Sequence, residues 1–314
     1  MVSFCELLKA VNLEFPRELS LKDGEKLVRS ILYIPPEGGE IDSISDAVNF
    51  NEGGGYAERM LNEMLHLLDD NLGKKYRRVS FELYGNKRGW RRNKWDEMLT
   101  PGLCYVYYCR NCNLQTHTRV DSPLQIQLFL SFMHTELDQV QSRSQSQLQP
   151  QRLPVLYLYE LQLCPTVRSQ GLGTFLLNTC LRCCCQRLAP HERNGRNDIK
   201  GSRRQDAPRG IALTVFGDNK PALRLYRDKL HMKIVDSRQT TGSHRILRSS
   251  RNSRNVSDST GNVYHQGNAM TKGKGSGGGG GDLQETTATV KNPPLYFVLL
   301  MPVSAELSTS SGFP

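Results

Sequence analysis

The sequence predicts a mixed α/β domain of the α+β type, built on one central sheet with helices on both faces. Strand-like and helix-like segments alternate in the order β-β-β-α-β-α-β-β between residues 103 and 301. The 314 residues include only 38% hydrophobic side chains, and the mean hydropathy is −0.50, so part of the chain is expected to lie outside the core. Three polar tracts interrupt the alternation without changing its order.

The predicted strands are short apolar runs rich in aromatic and β-branched residues. They cover 103–109, 124–133, 154–163, 211–216, 232–236 and 295–301. Two helices are predicted between them. The first, at 171–188, is apolar or Cys at most positions and has one polar stripe, which is typical of a helix covered on most of its surface. The second helix is predicted at 219–230.

The predicted domain organisation has three parts. Residues 1–80 form a mainly helical N-terminal extension, residues 81–303 form the α/β domain, and residues 304–314 form a disordered tail. The domain contains three low-complexity inserts, which are too polar to offset the entropy cost of ordering them, at 139–151, 189–209 and 237–292. Residues 186–209 have a net charge of +4 and residues 238–254 of +5, so these stretches hold nine of the ten excess positive charges.

Several classes of protein are not favoured by the sequence. The longest apolar runs, 153–163 and 295–303, are too short to span a bilayer. Glu6 and Lys9 within the first apolar stretch do not fit a secretory signal. Nine cysteines, four of them crowded into 180–185, favour reduced thiols in the cytosol or nucleus. The pair Cys109 and Cys112 with His117 nearby hints at zinc, but a second ligand pair is missing, so no metal is predicted.

The strongest local signal for a ligand is a glycine-containing hexapeptide between a predicted strand and a predicted helix. It consists of Arg168, Ser169, Gln170, Gly171, Leu172 and Gly173. Glycines let the backbone turn tightly, and the free N–H groups at a helix start favour an anion such as pyrophosphate. The Lys-Ser/Thr pair of triphosphate loops and the third glycine of dinucleotide loops are absent. On these six residues alone, an ordinary strand–helix turn is an equal alternative.

The flanks of this hexapeptide resemble the GNAT superfamily of N-acetyltransferases. The spacing Arg/Gln-x-x-Gly-x-Gly/Ala is similar to that family's acetyl-CoA loop, and residues 219–226 resemble its Asn-x-x-Ala-x-x-Leu-Tyr element. The strand at 156–163 (LYLYELQL) is similar to the NatD-type, histone-specific N-alpha-acetyltransferases within that superfamily. The resemblance implies a GNAT acyl-CoA N-acyltransferase fold, whose mixed sheet is splayed at the cofactor-binding strand.

The resemblance also implies a role for individual residues. The implied co-substrate is acetyl-CoA, without a metal, and the residues implied to bind it are Leu161, Gln162, Leu163, Arg168, Ser169, Gln170, Gly171, Leu172, Gly173 and Asn219. The implied peptide slot consists of Tyr84, Tyr157, Tyr159, Thr214, Ser237 and Tyr296. Glu160 is the implied general base, acting through a water. The departing thiolate is a weak base that needs only modest acid help, and Tyr226 can supply it. Tyr159 is the alternative base, through a lowered phenol pKa or a bound water.

The implied roles require the strand at 156–163 to be irregular. In a regular strand Tyr157 and Tyr159 share a face, and Glu160 points to the opposite one. If all three serve one site, the strand must contain a β-bulge near 159–163. Without the resemblance, Glu160 would more simply be a buried structural carboxylate or an edge charge, and the tyrosines would be core residues.

The implied reaction is acetyl transfer to the N-terminal amine of histone tails that begin Ser-Gly-Arg-Gly, those of histone four and histone two-A. Histone peptides are the expected partners, with association to ribosome-nascent chains or chromatin, no membrane, and a location in nucleus and cytoplasm. One alternative is a GNAT enzyme that acts on lysine or on other protein N-termini. A second is a non-catalytic module that binds chromatin or RNA through its Arg-rich inserts, although these lack interleaved aromatic residues.

Overall fold

The computed structural model describes residues 3–36, 47–85, 87–110, 126–138, 152–189, 207–238 and 294–303. The insert at 139–151, nearly all of the other two inserts and the tail at 304–314 lie outside the described residues. Two of the possible zinc ligands, Cys112 and His117, lie outside the described residues as well. Every described residue belongs to one compact unit, formed by 1–240 together with 293–314.

The strands form one mixed sheet, in the order β1-β2-β4-β5-β6-β7-β9-β8, with β3 parallel to β2. Their bounds are β1 Glu18–Ser20, β2 Lys26–Tyr33, β3 Ala47–Asn49, β4 Cys104–Arg110, β5 Ile126–Asp138, β6 Arg152–Leu163, β7 Gly210–Phe216, β8 Lys233–Arg238 and β9 Tyr296–Pro302. Along the main path β6 and β7 are parallel, and the other neighbours are antiparallel. The prediction of a mixed sheet of α+β type is confirmed.

Helices cover both faces of the sheet, as predicted. Their bounds are α1 Phe4–Glu14, α2 Gly54–Tyr84, α3 Trp90–Met98, α4 Leu172–Phe175, α5 Arg182–Leu188 and α6 Lys220–Leu223. A π-helical segment, Leu176–Leu181, joins α4 to α5, and a second one, Arg224–Lys229, continues α6. A single 3₁₀ turn, Pro165–Val167, follows β6. Helices α1, α4 and α5 pack on one face of the sheet, and α2 and α3 pack on the other.

The described part of residues 1–80 contains more helix than strand, in α1 and α2, but it also contains three strands, β1 to β3, that the sequence analysis did not predict. β2 pairs with β4 at seven positions, from Leu27–Arg110 to Tyr33–Cys104, and so belongs to the sheet of the α/β domain. α2 continues past residue 80 to Tyr84. The sequence pattern missed these strands because β2 is buried on both faces along most of its length, which removes the alternation of apolar and polar residues. β1 and β3 have only three residues each.

Helix α1 begins at a capping box, in which Ser3 and Glu6 bond reciprocally, and it presents Leu8 to the core. Replacing Leu8, which is 1% exposed, with alanine is expected to lower the free energy of unfolding by about 2–5 kcal/mol. Leu13 on the same helix is 67% exposed, and Leu13→Ala is expected to change that free energy by no more than about 0.5 kcal/mol. Urea titration of both variants measures the difference. Equal losses in the two variants would show that α1 is not part of the core.

The cysteine cluster on the helix after the loop is part of the core. Cys180, Cys184 and Cys185 are buried in the core cluster that α1 forms with the sheet. All cysteines that the structure describes are free thiols. Burial raises the pKa of the Cys180 and Cys185 thiols to about 12, so both stay protonated near neutral pH. The predicted polar stripe, formed by Asn178, Arg182 and Gln186, ends early, because Gln186 is buried after the π-helical segment has shifted the helical register.

Candidate active site

The sheet opens between β6 and β7, the two parallel strands. They pair only from Leu156–Ile211 to Leu158–Leu213, whereas β6 stays paired with β5 as far as Leu163. Among the described strands, none pairs with the β7-facing edge of β6 beyond Leu158. A cavity of about 870 Å³ occupies this opening. The predicted splay at this strand is therefore confirmed, and it exposes backbone polar groups to the cavity.

The predicted bulge lies at Tyr159. Ser131 of β5 pairs with Glu160, and the next residue, Phe132, pairs with Leu158, so Tyr159 is left out of the ladder. Both Tyr159 and Glu160 consequently face α2 and α3, whereas Leu161 packs with the core on the opposite face. One extra residue in β6 thus brings the carboxylate onto the same side as the tyrosines.

The glycine loop is shaped for close approach by a ligand. Gly171 has φ 82°, and a Cβ built there would meet no atom within 4 Å, so its backbone is open to the cavity. Ser169 is also left-handed, with φ 61°. α4 starts at Leu172, so its first N–H groups are directed towards the loop. At Gly173 an added Cβ would lie only 3.3 Å from the Leu225 side chain. The absence of a side chain at Gly173 therefore lets the helix pack closely against Leu225 beside the cavity.

A hydrogen-bonded link connects this loop to α2. Arg168 donates through Nε to the Leu163 carbonyl oxygen at 3.1 Å and also contacts the Asn71 side chain. Asn71 donates through Nδ2 to the same Leu163 oxygen at 3.1 Å and to Gln162 Oε1 at 2.9 Å. Gln170 does not line the cavity, because its side chain accepts a backbone N–H from the β1–β2 turn at 3.0 Å. Asn71 was not identified from the sequence.

Glu160 lies at the centre of the cavity wall and is 7% exposed. Its Oε1 accepts from the Tyr76 hydroxyl at 3.1 Å and lies 2.5 Å from Lys94 Nζ. Its Oε2 accepts from Gln162 Nε2 at 2.7 Å. Glu160 is therefore a satisfied buried carboxylate and also a cavity residue. Tyr76 and Lys94 were missed by the sequence analysis, because they come from helices 84 and 66 residues earlier in the chain.

A second carboxylate, that of Glu97 on α3, also lines the cavity. Its side chain is 30% exposed, its Oε1 lies 2.5 Å from Lys94 Nζ, and it is hydrogen-bonded to Tyr84. Glu97 was also missed, because α3 has the composition of an ordinary polar surface helix. The cavity thus presents two carboxylates that share one buried ammonium group.

Five of the six residues predicted for the peptide slot line one cavity. The rings of Tyr157 and Tyr159 are 5.2 Å apart and meet edge to face, and the Tyr157 hydroxyl is hydrogen-bonded to Thr214. Tyr84 and Tyr296 line the same cavity, but Ser237, exposed on β8, does not. Burial raises the pKa of Tyr159, which opposes the alternative in which this phenol acts as a base through a lowered pKa.

Tyr226, the predicted acid, lines the cavity from the second π-helical segment. Its side chain is buried, and burial together with the charge of Glu160 raises its pKa well above the usual value. The hydroxyl therefore keeps its proton near neutral pH and is available as a donor.

Asn219 also lines the cavity and stands at the N-cap position of α6, but its side chain makes no capping hydrogen bond. The neighbouring Asp218 accepts from Lys75 at 2.7 Å and Arg78 at 2.5 Å. Burial opposes ionisation of Asp218, yet the two cations outweigh it and lower its pKa. Helix α2, which supplies both cations, therefore contacts the start of α6.

Metal and membrane features are absent from the part of the chain that the structure describes. There, no group of three or more His, Cys, Asp or Glu side chains is placed to hold a metal ion. None of the described helices is both long enough and apolar enough to cross a bilayer.

Comparisons with known proteins show which family the chain belongs to. No protein-family model matches the chain. N-alpha-acetyltransferase 40 of Saccharomyces cerevisiae is 34% identical over 224 residues, which cover 68% of this chain and 70% of the yeast protein. Among solved structures, Arabidopsis thaliana NAA60 in complex with a bisubstrate analogue matches 74% of this chain and 93% of its own, with 10% identity and a TM-score of 0.31. AtaTR bound with AcCoA matches 49% and 70%, with 14% identity and a TM-score of 0.27. By its likeness to the yeast enzyme, the chain belongs to the GNAT family of N-acetyltransferases.

Proposed function

We propose that the protein transfers an acetyl group from acetyl-CoA to the N-terminal amine of histone tails that begin Ser-Gly-Arg-Gly, those of histone four and histone two-A. The observation that supports this most is a single cavity that joins the glycine loop to Glu160 and the tyrosine pair. A cofactor-binding end and a proton-accepting end thus meet at the splayed strand, as acyl transfer to an amine requires.

The loop and the strand edge fit acetyl-CoA. The open backbone at Gly171 and the helix start at Leu172 offer N–H groups to the pyrophosphate. The edge of β6 at Leu161–Leu163 faces the cavity and can pair with the amide-containing arm. Acetyl-CoA supplies the thioester whose acetyl group is transferred. The N–H groups along β6 are placed to stabilise the negative charge that develops on the carbonyl oxygen.

The chain's own residues handle the protons. A peptide α-amine has a pKa of about 7.7–8.0, so much of it is protonated near neutral pH and must lose a proton before attack. Glu160 accepts this proton through a water, and its three donors hold it in one orientation. Tyr226, whose raised pKa keeps it protonated, donates a hydrogen bond to the departing thiolate. The tyrosines confine the peptide end within reach of Glu160.

Histone specificity rests on the sequence resemblance and on Glu97. This partly exposed carboxylate lines the cavity and can pair with a basic side chain of the peptide. We also propose chromatin or ribosome-nascent chains as sites of action, and nucleus and cytoplasm as compartments. Nucleic-acid binding through the Arg-rich inserts is a separate expectation that concerns residues outside those described.

Steady-state CoA release with a panel of peptides tests the proposed substrate. Each peptide carries one internal lysine, and the panel comprises the Ser-Gly-Arg-Gly sequence, a version with Arg replaced by Glu, one starting with Met, and one with a blocked N-terminus. We expect the highest kcat/KM for Ser-Gly-Arg-Gly and none for the blocked peptide. Turnover of the blocked peptide would favour a lysine acetyltransferase. No turnover, together with salt-dependent RNA binding, would favour the non-catalytic alternative.

A further inference from the structure

Lys94 is a buried cation that the transfer reaction as derived above does not use. It lies on α3, and its side chain is only 3% exposed. Its Nζ lies 2.5 Å from Glu160 on β6 and 2.5 Å from Glu97 on its own helix. The same nitrogen lies 5.4 Å from the centre of the Tyr76 ring. An ammonium group removed from water needs such partners, so its position is tightly defined by them.

Around Lys94, negatively charged side chains outnumber positively charged ones. The titratable groups that face the Lys94–Glu160 pair are Tyr76 and Tyr84 of α2, Glu97 of α3, Tyr105 of β4, Tyr159 of β6 and Tyr226 of the second π-helical segment. Burial raises the pKa of every one of these phenols, so they are neutral near pH 7. Among the described residues of the cluster, the charges that remain are one ammonium and two carboxylates.

Lys94 keeps its proton in this surrounding. Burial by itself lowers its pKa, but the charges of Glu160 and Glu97 outweigh burial and hold the pKa well above the usual value. When Glu160 takes up a proton, the ammonium still has Glu97 as a counter-ion. The buried positive charge is therefore never left without a partner during a catalytic cycle.

We propose that Lys94 is a positioning residue for acetyl transfer: its ammonium holds Glu160 in place and sets the pH range in which Glu160 accepts the substrate's proton, while Glu97 balances the ammonium once Glu160 is neutral. This inference rests on the proposed function, with Glu160 as the base. The proton moves from the substrate ammonium to Glu160, through a water, and Lys94 donates none.

Substitutions at Lys94 and at Glu97 should shift the pH dependence of turnover in opposite directions. Removing a cation from beside a carboxylate makes that carboxylate hold its proton to higher pH, typically by about 1–3 pH units. We expect the acid limb of kcat for Lys94→Met to move up by an amount in that range. Removing a neighbouring negative charge has the reverse effect, so the limb for Glu97→Gln should move down. A purely structural role would lower kcat without such opposite shifts.

The measurement is kcat against pH at saturating Ser-Gly-Arg-Gly peptide, with acetyl-CoA affinity and thermal unfolding recorded for each variant. The substrate amine titrates identically in all reactions, so a shift in the limb belongs to the enzyme. Arg92→Met, an exposed cation on the same helix, is the matched control and should keep the wild-type profile. If Lys94→Met does not fold, Lys94→Arg and Glu97→Gln keep the test decisive, because Lys94→Arg retains the charge and should keep the limb near its wild-type position.

The outcomes separate this inference from the proposed function. A wild-type enzyme that does not acetylate any N-terminal amine overturns the proposed function. A wild-type enzyme that turns over, with folded Lys94 and Glu97 variants whose acid limbs coincide with its own, overturns the role of Lys94 alone. Opposite shifts in the two variants, with acetyl-CoA affinity unchanged, support the positioning role.

Discussion

Glu160→Gln should lower turnover roughly 10²–10⁴-fold, the usual contribution of a positioned base. The amide keeps the size of the side chain and can still accept from Tyr76, but it cannot take a proton from the substrate amine. Acetyl-CoA affinity should remain close to that of the wild type, because the glycine loop starts eight residues later and Leu161 faces away from Glu160. Raising the pH should restore part of the activity, since more of the peptide amine is then neutral in solution.

The control for this substitution is Glu136→Gln on the neighbouring strand β5. Glu136 pairs with Arg152 at the surface, at 3.2 Å, and does not line the cavity. Its loss should leave kcat and KM unchanged. Near-normal turnover of a folded Glu160→Gln enzyme at pH 7 would contradict Glu160 as the base. Burial raises the pKa of Tyr159, so Tyr159 acting through a bound water, or Glu97, would then become the candidate base.

Gly171→Asp should weaken acetyl-CoA binding roughly tenfold to a hundredfold. The left-handed backbone at φ 82° costs a residue with a side chain about 1–2 kcal/mol, which the loop relieves by changing shape. A carboxylate at the start of α4 opposes a bound anion by about 0.3–1 kcal/mol more. At about 1.4 kcal/mol for each factor of ten, the two effects together give this range. Isothermal titration calorimetry with acetyl-CoA measures the change.

Two controls separate backbone strain from charge in this experiment. Gly171→Ala adds only a methyl group, for which the structure has room, so its effect reports the backbone alone. Gly102→Asp places the same carboxylate at a glycine with φ 89° that does not line the cavity, and it should leave the affinity unchanged. An unchanged acetyl-CoA affinity in Gly171→Asp would mean that the cofactor site lies elsewhere.

Features that depend on one segment of chain could be predicted from the sequence. The order of strands and helices after residue 103, the loop at 168–173 and the bulge beside Glu160 all follow from local pattern and from the roles of neighbouring residues. The bulge was predictable because Tyr157, Tyr159 and Glu160 must share a site, whereas a regular strand would point Glu160 to the face opposite the tyrosines. The splay of the sheet followed from the resemblance and is now seen in the early end of the β6–β7 ladder.

Features that depend on distant segments could not be predicted. Asn71, Tyr76, Lys94 and Glu97 reach the cavity from α2 and α3, and a polar residue on a helix carries no sequence signal of what it faces. The strands before residue 80 were missed because β2 is buried on both faces, so its pattern lacks alternation. The π-helical segments add a residue to a helical turn without any compositional mark.

The central claim is that the acetyl group is delivered to an α-amine. Tandem mass spectrometry of a peptide that begins Ser-Gly-Arg-Gly and carries one internal lysine, after incubation with the protein and acetyl-CoA, tests it most directly. We expect one added acetyl group, located on the N-terminal residue, and none on the lysine. An acetyl group on the lysine side chain, or an unmodified peptide in the presence of a folded protein that binds acetyl-CoA, would contradict the claim.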